Sequence, residues 1–480
     1  MELTMLPNKN EYDLVIVGAG LSGMAAATEA AEHHLSTLLI EKGRTIGGTG
    51  NYVEGMFAVE SEYQKEHHIS VTKKQILEIE QNFTHHTADM RIWKDYVDKS
   101  ASNIEWMKKH GVKFGKMRNL GTKGLLVWHI FKDHGKGAIQ DGLEPFVRKH
   151  GVDIITSVSA KKLQLDANNT ISGVVIEDYL SKQIKFIRTN NVILATGGFL
   201  NNSKLIDKLT DYSSKRVTAM NSGKNNGDGL RLAYAVGAYQ AMGFVMSSGG
   251  SLKDDQTPAY IFRGTDLNNA ATREGVLWVN QVGDRFTNED TSANWGVGGR
   301  SLARQFRSFA IMDQKQINSF VTEGAPISNK KYLDLKQQIK TALQKNAPYI
   351  HQADNIEQLA KNINLPNLVN TVNHYNKMCH QKKDTDLYKD ARMLYSIEEG
   401  PFYAIEFNDV AFCAAGGLRT NPQNQVLDIN GYAIPGLYAI GNDAANAITG
   451  DSYDVVVSGA EAGYCIYSGR NAVQTIDDLS

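Results

Sequence analysis

Six residues near the start of the chain, Gly18-Ala19-Gly20-Leu21-Ser22-Gly23, have the types and spacing to receive the pyrophosphate of a dinucleotide. Gly18 permits a tight turn, Gly20 lets the backbone approach phosphate oxygens, and Gly23 removes a side chain that would hold helix and strand apart. The unpaired amides at a helix start add partial positive charge. Glu41 stands about twenty residues further on, where a carboxylate accepts both hydroxyls of a ribose. An acid there argues against a 2′-phosphate.

These groups need a strand, a turn and a helix to position them. Residues 13–17 (DLVIV) form a β-branched apolar run, residues 24–31 are alanine-rich, and residues 36–40 (STLLI) read as a second strand ending at Glu41. Lys42 and the loop Gly47-Gly48-Thr49-Gly50-Asn51 follow, suited to lie along a ribityl chain and a flavin. Residues 191–198 form another buried strand ending in Ala195, Thr196 and Gly197, and residues 436–442 repeat the pattern up to Gly441 and Asn442. Three such elements point to FAD rather than NAD, because the longer cofactor needs later segments to hold its flavin half.

Composition narrows the rest. The 480 residues exceed one typical core, so two domains are expected. A net charge of −1 gives no general attraction to nucleic acid or to an anionic membrane, and neither partner is expected. Cys379, Cys413 and Cys465 lie far apart without a CxxC, so no disulfide framework and no metal site are expected. A polar N-terminus entering the first strand directly and the lack of a long apolar run fit a cytoplasmic protein. Helical spacing over residues 70–112 places Trp93, Tyr96, Val97, Ile104 and Met107 on one buried stripe, and residues 166–169 read as a hairpin turn. Ser247-Ser248-Gly249-Gly250-Ser251 marks a change in composition. The expected organisation is 1–246 and 401–480 as two parts of one cofactor domain, with 247–400 as a cap and the substrate in the crevice between them.

Together with Asn226-Gly227-Asp228-Gly229, Arg285-Phe286-Thr287-Asn288-Glu289 and residues 416–469, these motifs give a chain that resembles, over nearly its whole length, the flavoprotein family of fumarate reductase and succinate dehydrogenase. That family includes urocanate reductase and 3-ketosteroid Δ1-dehydrogenase. The resemblance implies an α/β fold in which a discontinuous FAD-binding Rossmann-like domain carries an inserted α+β capping domain. It also implies non-covalent FAD lined by Ser22, Glu41, Lys42, Thr49, Gly50, Val158, Ala195, Asp228, Asn442 and Ser458, with Gly48 and Gly55 in the matching N-terminal segment.

The chain departs from that family where dicarboxylates are gripped. The family's proton-donating arginine falls on Ala293, one histidine on Cys413, a second near Ser248, a Thr-Glu pair near Asn268-Asn269, and the carboxylate-binding arginine within Gly450-Asp451-Ser452-Tyr453. A carboxylate carried into a dry cleft without a cation costs several kcal/mol. Fumarate, succinate and urocanate are therefore disfavoured, with one reservation: Arg263, Arg273 and Arg300 of the cap are placed to supply charge from new directions, although they read first as solvated or ion-paired surface groups. Gly450-Asp451-Ser452-Tyr453 is similar to the Gly-x-x-Tyr of ketosteroid dehydrogenases, whose tyrosine bonds the conjugated ketone.

The expected activity is an FAD-dependent reduction of an activated alkene that is not a dicarboxylate, such as a vinylphenol or an enone. Hydride would go to the carbon remote from the activating group, and Tyr453 would polarise that group's oxygen. Ser248, Tyr260 and Trp295 are candidate routes for the proton, and Trp295, Tyr52, Phe57 and Phe412 for an apolar pocket. Electrons would come from NAD(P)H or a separate flavin reductase. A 3-ketosteroid-type dehydrogenase and a non-catalytic flavin-binding redox sensor remain open alternatives.

Overall fold

Strands covered on both faces read as unbroken apolar runs, and Leu14–Val17 and Thr37–Glu41 are buried along their whole length for that reason. The computed structural model describes residues 6–119, 125–452 and 454–479, apart from the side chain of Ala293. Its first six-stranded sheet runs in the order Gln425–Leu427, Ala433–Ala439, Val192–Leu194, Leu14–Val17, Thr37–Glu41, Asp153–Thr156. All neighbours are parallel except the pair at the C-terminal edge. Segments far apart in sequence thus bring their glycine-ended strands side by side. Helix Leu21–Glu32 packs on this sheet and on the long helix Ala460–Asp478.

Two glycines explain how closely that helix docks. Gly18 has φ +110°, and a Cβ there would lie 2.3 Å from the Ala195 carbonyl oxygen. A Cβ on Gly23 would lie 1.8 Å from the carbonyl oxygen of Gly18. Any larger residue at either position would separate the first turn from the strand ending at Leu194.

The second sheet is organised by one 17-residue strand, Phe402–Leu418. Its first part pairs antiparallel with Ser308–Asp313, and Phe407 to Leu418 pair with Gln240–Leu252. The register shifts between Met246↔Cys413 and Ser247↔Ala411, which leaves Phe412 as an extra residue. Such a bulge breaks the strict alternation of side chains. Phe412 and Cys413, neighbours that a regular strand would point to opposite faces, both reach the same groove.

The hairpin expected at residues 166–169 is present between Val158–Leu165 and Ile171–Asp178, where the Asp166 carboxylate accepts the amides of Asn168 and Thr170 at 2.8 and 2.9 Å. Trp93, Tyr96, Val97, Ile104 and Met107 are buried on helix Met90–Lys109. Among the described residues, no helix is long and apolar enough to cross a membrane, and no group of three or more metal-ligating side chains forms.

Candidate active site

One groove collects side chains from the beginning, the middle and the end of the chain. Where the parallel strands end it is bordered by Gly18, Gly20, Ser22, Glu41, Lys42, Gly48, Thr49, Gly50, Gly55, Val158, Ala195, Thr196, Gly197 and Asp228. Asn442 and Ser458 also border it. Gly23 and Gly441, expected beside the cofactor, stand behind the wall instead. Gly23 is pressed on the Gly18 backbone, and the Gly441 amide donates to Ser468 Oγ at 3.0 Å.

The wall is held by carboxylates that accept backbone amides. Glu41 takes the amides of Ala19 and Gly43 at 3.1 and 2.6 Å, which fixes its carboxylate at the groove. Asp443, wholly buried, accepts the amides of Thr196 and Gly198 at 2.6 and 2.9 Å and so shapes the turn after Leu194. Lys42 Nζ pairs with Asp228 at 2.5 Å, and Thr49 Oγ1 donates to Asn225, whose amide nitrogen donates to Gly197 O at 2.7 Å.

These residues fit a dinucleotide. Helix Leu21–Glu32 starts at Gly20 with no side-chain cap and no acid in its first turn, so no side chain occupies its amide end. A Cβ built on Gly20 would meet only the Gly47 carbonyl oxygen, at 3.8 Å, leaving the space beside it open to a phosphate.

The opposite end has a different character. Trp128, Met246, Ser248, Arg263, Trp295, Phe412 and Cys413 line it with two buried carboxyls, Asp454 and Glu461. Buried polar atoms nearly always have partners. Here Trp128 Nε1, Ser248 Oγ, Arg263 Nη1 and both carboxyl oxygens of Glu461 are buried with no protein partner, and all five belong to residues of this groove. Such a concentration of unmet polar atoms sets these residues apart from the rest of the groove.

Arg263 is not the surface cation expected of it. Its guanidinium lies 4.6 Å from the Phe412 ring centroid and 5.4 Å from that of Trp295, while Nη2 pairs with Glu54 at 3.1 Å. Arg273 stacks on Trp295 at 4.5 Å, and burial, then the nearby charge of Arg263, draws its pKa down to about 10. Arg300 does match the expectation, pairing with the exposed carboxylate of Asp211 and stacking on Tyr212. One arginine with one counter-ion suits a single acceptor or a phenolate better than two carboxylates.

The remaining candidates separate. Tyr52 borders the groove, whereas Phe57 is fully buried against Tyr96, with ring centroids 5.5 Å apart. Tyr260 is 63% exposed and does not border the groove. Tyr453 lies outside the described residues. Trp128, Asp454 and Glu461 were not anticipated. The signal available for the two acids was a charge inside the apolar run of residues 454–462.

The comparisons with known proteins agree with this geometry. The signature of the FAD binding domain matches residues 13–452. The chain is 40% identical to a vinyl phenol reductase of Lactiplantibacillus plantarum over 477 residues, 97% of this chain and 96% of that one. It is 27% identical to a fumarate reductase (cytochrome) of Shewanella frigidimarina, covering 94% of this chain and 76% of the relative. The 3-ketosteroid Δ1-dehydrogenase of Sterolibacterium denitrificans superposes with a TM-score of 0.81 at 18% identity, over 98% of this chain and all (100%) of that one, which shows a shared fold. With the glycine frame, the fixed Glu41 and a signature spanning most of its length, the chain belongs to the family of FAD-binding flavoproteins and uses FAD as its cofactor.

Proposed function

We propose that the protein is an FAD-dependent reductase of the carbon–carbon double bond in a phenolic alkene, with 4-vinylphenol as the representative substrate. The observation that carries this reading is the set of buried, unpartnered polar atoms on residues of an aromatic-lined end of the groove, Arg263 Nη1 among them, with the guanidinium beside Phe412 and Trp295. The likeness to a vinyl phenol reductase along both whole chains supports it.

Reduced FAD supplies a hydride at its N5. The protein's own residues bind, orient and keep water out. Ser22, the amide end of the first helix and Lys42 take the pyrophosphate side, Glu41 the ribose, and Thr49, Gly50, Asn442 and Ser458 the flavin half. Arg263 receives the substrate's phenolic oxygen, its charge tempered by Glu54 so that a second anion gains little. Tyr453 hydrogen-bonds the same oxygen, a role resting on its place in the Gly-x-x-Tyr segment. Residues 247–400 act as a cap over the ring, carried between the two parts of the cofactor domain, 1–246 and 401–480. Electrons reach the cofactor from NAD(P)H or from a separate flavin reductase.

The test is a panel of alkenes added to the anaerobically photoreduced holoenzyme, and a saturated 3-ketosteroid added to the oxidised holoenzyme. The reading expects 4-vinylphenol to restore the oxidised flavin spectrum with formation of 4-ethylphenol, fumarate and urocanate to leave the reduced spectrum unchanged, and the saturated 3-ketosteroid to leave the oxidised flavin unbleached. Arg263→Met should retain FAD and lose about 100-fold in kcat/KM for 4-vinylphenol, as for removal of one charged donor from a dry site. An unaltered kcat/KM would remove Arg263 from the substrate's binding.

A further inference from the structure

The groove holds an acid that no step described so far uses. We propose that Glu461 is the proton donor of the reaction and acts before the hydride, protonating the terminal vinyl carbon of a phenolate held by Arg263 to give a quinone methide. This rests on the phenolic-alkene reading above.

The geometry points to it first. Glu461 lies in the first turn of helix Ala460–Asp478, borders the groove, is 9% exposed, and has both carboxyl oxygens buried and unpartnered. A carboxylate with no donor in a dry site is costly, so the group keeps its proton and has a hydrogen to give. The ionisable groups that face it reinforce this. Asp454 and Glu80 set like charges beside it, and the others, Cys413, Cys465, Tyr96 and Tyr464, are neutral acids. Glu80 is tied in place by accepting the amides of Val456 and Val457 at 3.3 and 2.7 Å, and Asp454 accepts the amide of Val455 at 2.8 Å. Glu461 alone of the three takes no amide among the described residues. Burial, then Asp454 and Glu80, pushes its pKa up to about 8, while Asp454 rises to about 7 and Glu80 to about 8. A proton donor that loses its proton near neutral pH is well matched to repeated transfer.

The chemistry explains why acid and cation share one cavity. A styrene double bond accepts hydride poorly, but a para phenolate makes its terminal carbon basic. Binding to Arg263 lets the phenol release its proton to solvent. The terminal carbon then takes the Glu461 proton as the O–H bond breaks, and the alkene and ring electrons shift to leave a carbonyl at the former phenolate oxygen. The benzylic carbon, now electrophilic, receives hydride, with reduced FAD as the two-electron reductant, and the ring regains aromaticity as phenolate. Water returns a proton to Glu461. This order sends hydride to the benzylic carbon, the reverse of the sequence-based expectation.

The experiment begins with the oxidised holoenzyme and 4-vinylphenol in D2O, where hydride transfer cannot occur. Proton NMR should show exchange of the terminal vinyl hydrogens, slowed about 100-fold or more in Glu461→Gln with FAD still bound. 4-Methoxystyrene, which cannot become a phenolate, should neither exchange nor be reduced. Reduction of 4-vinylphenol in D2O should place solvent deuterium in the methyl group of 4-ethylphenol. As a readout free of turnover, 4-hydroxybenzaldehyde should bind as its phenolate, seen by its absorption, to wild type and Glu461→Gln and not to Arg263→Met. Deuterium in the methylene group, reduction of 4-methoxystyrene at a similar rate, or unchanged exchange in Glu461→Gln would each overturn the proton-first route while leaving the phenolic-alkene reading intact. A change in FAD affinity alone in Glu461→Gln would assign that carboxyl to the cofactor and overturn the proposal. No turnover of 4-vinylphenol by the reduced holoenzyme would overturn the substrate reading and this route with it.

Discussion

Two of the protein's buried clusters of charged residues are built in opposite ways. In one, Arg285 joins Glu289 and Asp384 at 2.8 and 2.7 Å, and Lys389 lies 3.3 Å from Glu289. Two cations meet two anions, each at most 7% exposed. Burial disfavours the Asp384 charge, yet Arg285 and the amides of Leu387 and Lys389 outweigh it and hold the carboxyl well below its usual range. In the other, Asp454 and Glu461, which border the groove, gather with Glu80, which does not, with no cation bonded to the three among the described residues, and Glu461's carboxyl has no hydrogen-bond partner there. The first arrangement spends its charge on shape. The second stores protons, and its instability in the charged form is what makes it chemically useful. The Arg-Phe-x-Asn-Glu segment that resembles a family motif thereby has a local explanation, since Arg285 and Glu289 clamp the strand Leu277–Asn280 through the Trp278 amide, 3.2 Å from Glu289.

The sharpest break in this comparison is Glu289→Ala. It strands Arg285 and Lys389 in a dry site and should cost about 3–5 kcal/mol, read from denaturant unfolding. Glu461→Gln strands no charge and removes the cost of keeping a buried carboxyl protonated, so the same unfolding curve should show no loss of stability even though alkene exchange collapses. Equal losses of stability in the two variants would dissolve the distinction between the clusters.

A smaller effect sharpens it further. In the unfolded chain Glu461 titrates at about 4.3, whereas the folded carboxyl holds its proton up to about 8. Between those values the folded state binds more protons than the unfolded one, so Glu461's contribution to stability is complete below about 4.3 and is lost as pH rises through about 8. Thermal unfolding from pH 5 to 8.5 should therefore show a decline whose slope is shallower in Glu461→Gln. A parallel decline in both proteins would mean that the carboxyl is already ionised in the fold.

The two clusters also mark what could be read without a structure. Gly18, Gly20 and Gly23 were legible because backbone geometry leaves little choice of residue at such positions, and Glu41 because its distance along the chain from those glycines is set by one helix and one strand. The acidic cluster of Glu80, Asp454 and Glu461 was not legible. Glu80 accepts an amide 377 positions away, and nothing in helix Lys73–Phe83 distinguishes it from a surface glutamate. Arg263 read as solvated because an arginine usually is; the approach of Trp295 and of Phe412, the latter displaced by the bulge beside Cys413, gives it an aromatic shelf. The departures at Cys413 and Ser248 pointed to a pocket that does not grip dicarboxylates, but they left unseen the polar groups that had arrived in their place.

The most direct measurement is anaerobic stopped-flow mixing of the reduced holoenzyme with 4-vinylphenol and, separately, with fumarate, following the return of the oxidised flavin band in a single turnover. Rapid, saturable reoxidation by 4-vinylphenol is expected, with one 4-ethylphenol formed per flavin and no reaction with fumarate above the blank. Reoxidation by fumarate, with the reduced band persisting in the presence of 4-vinylphenol, would contradict it.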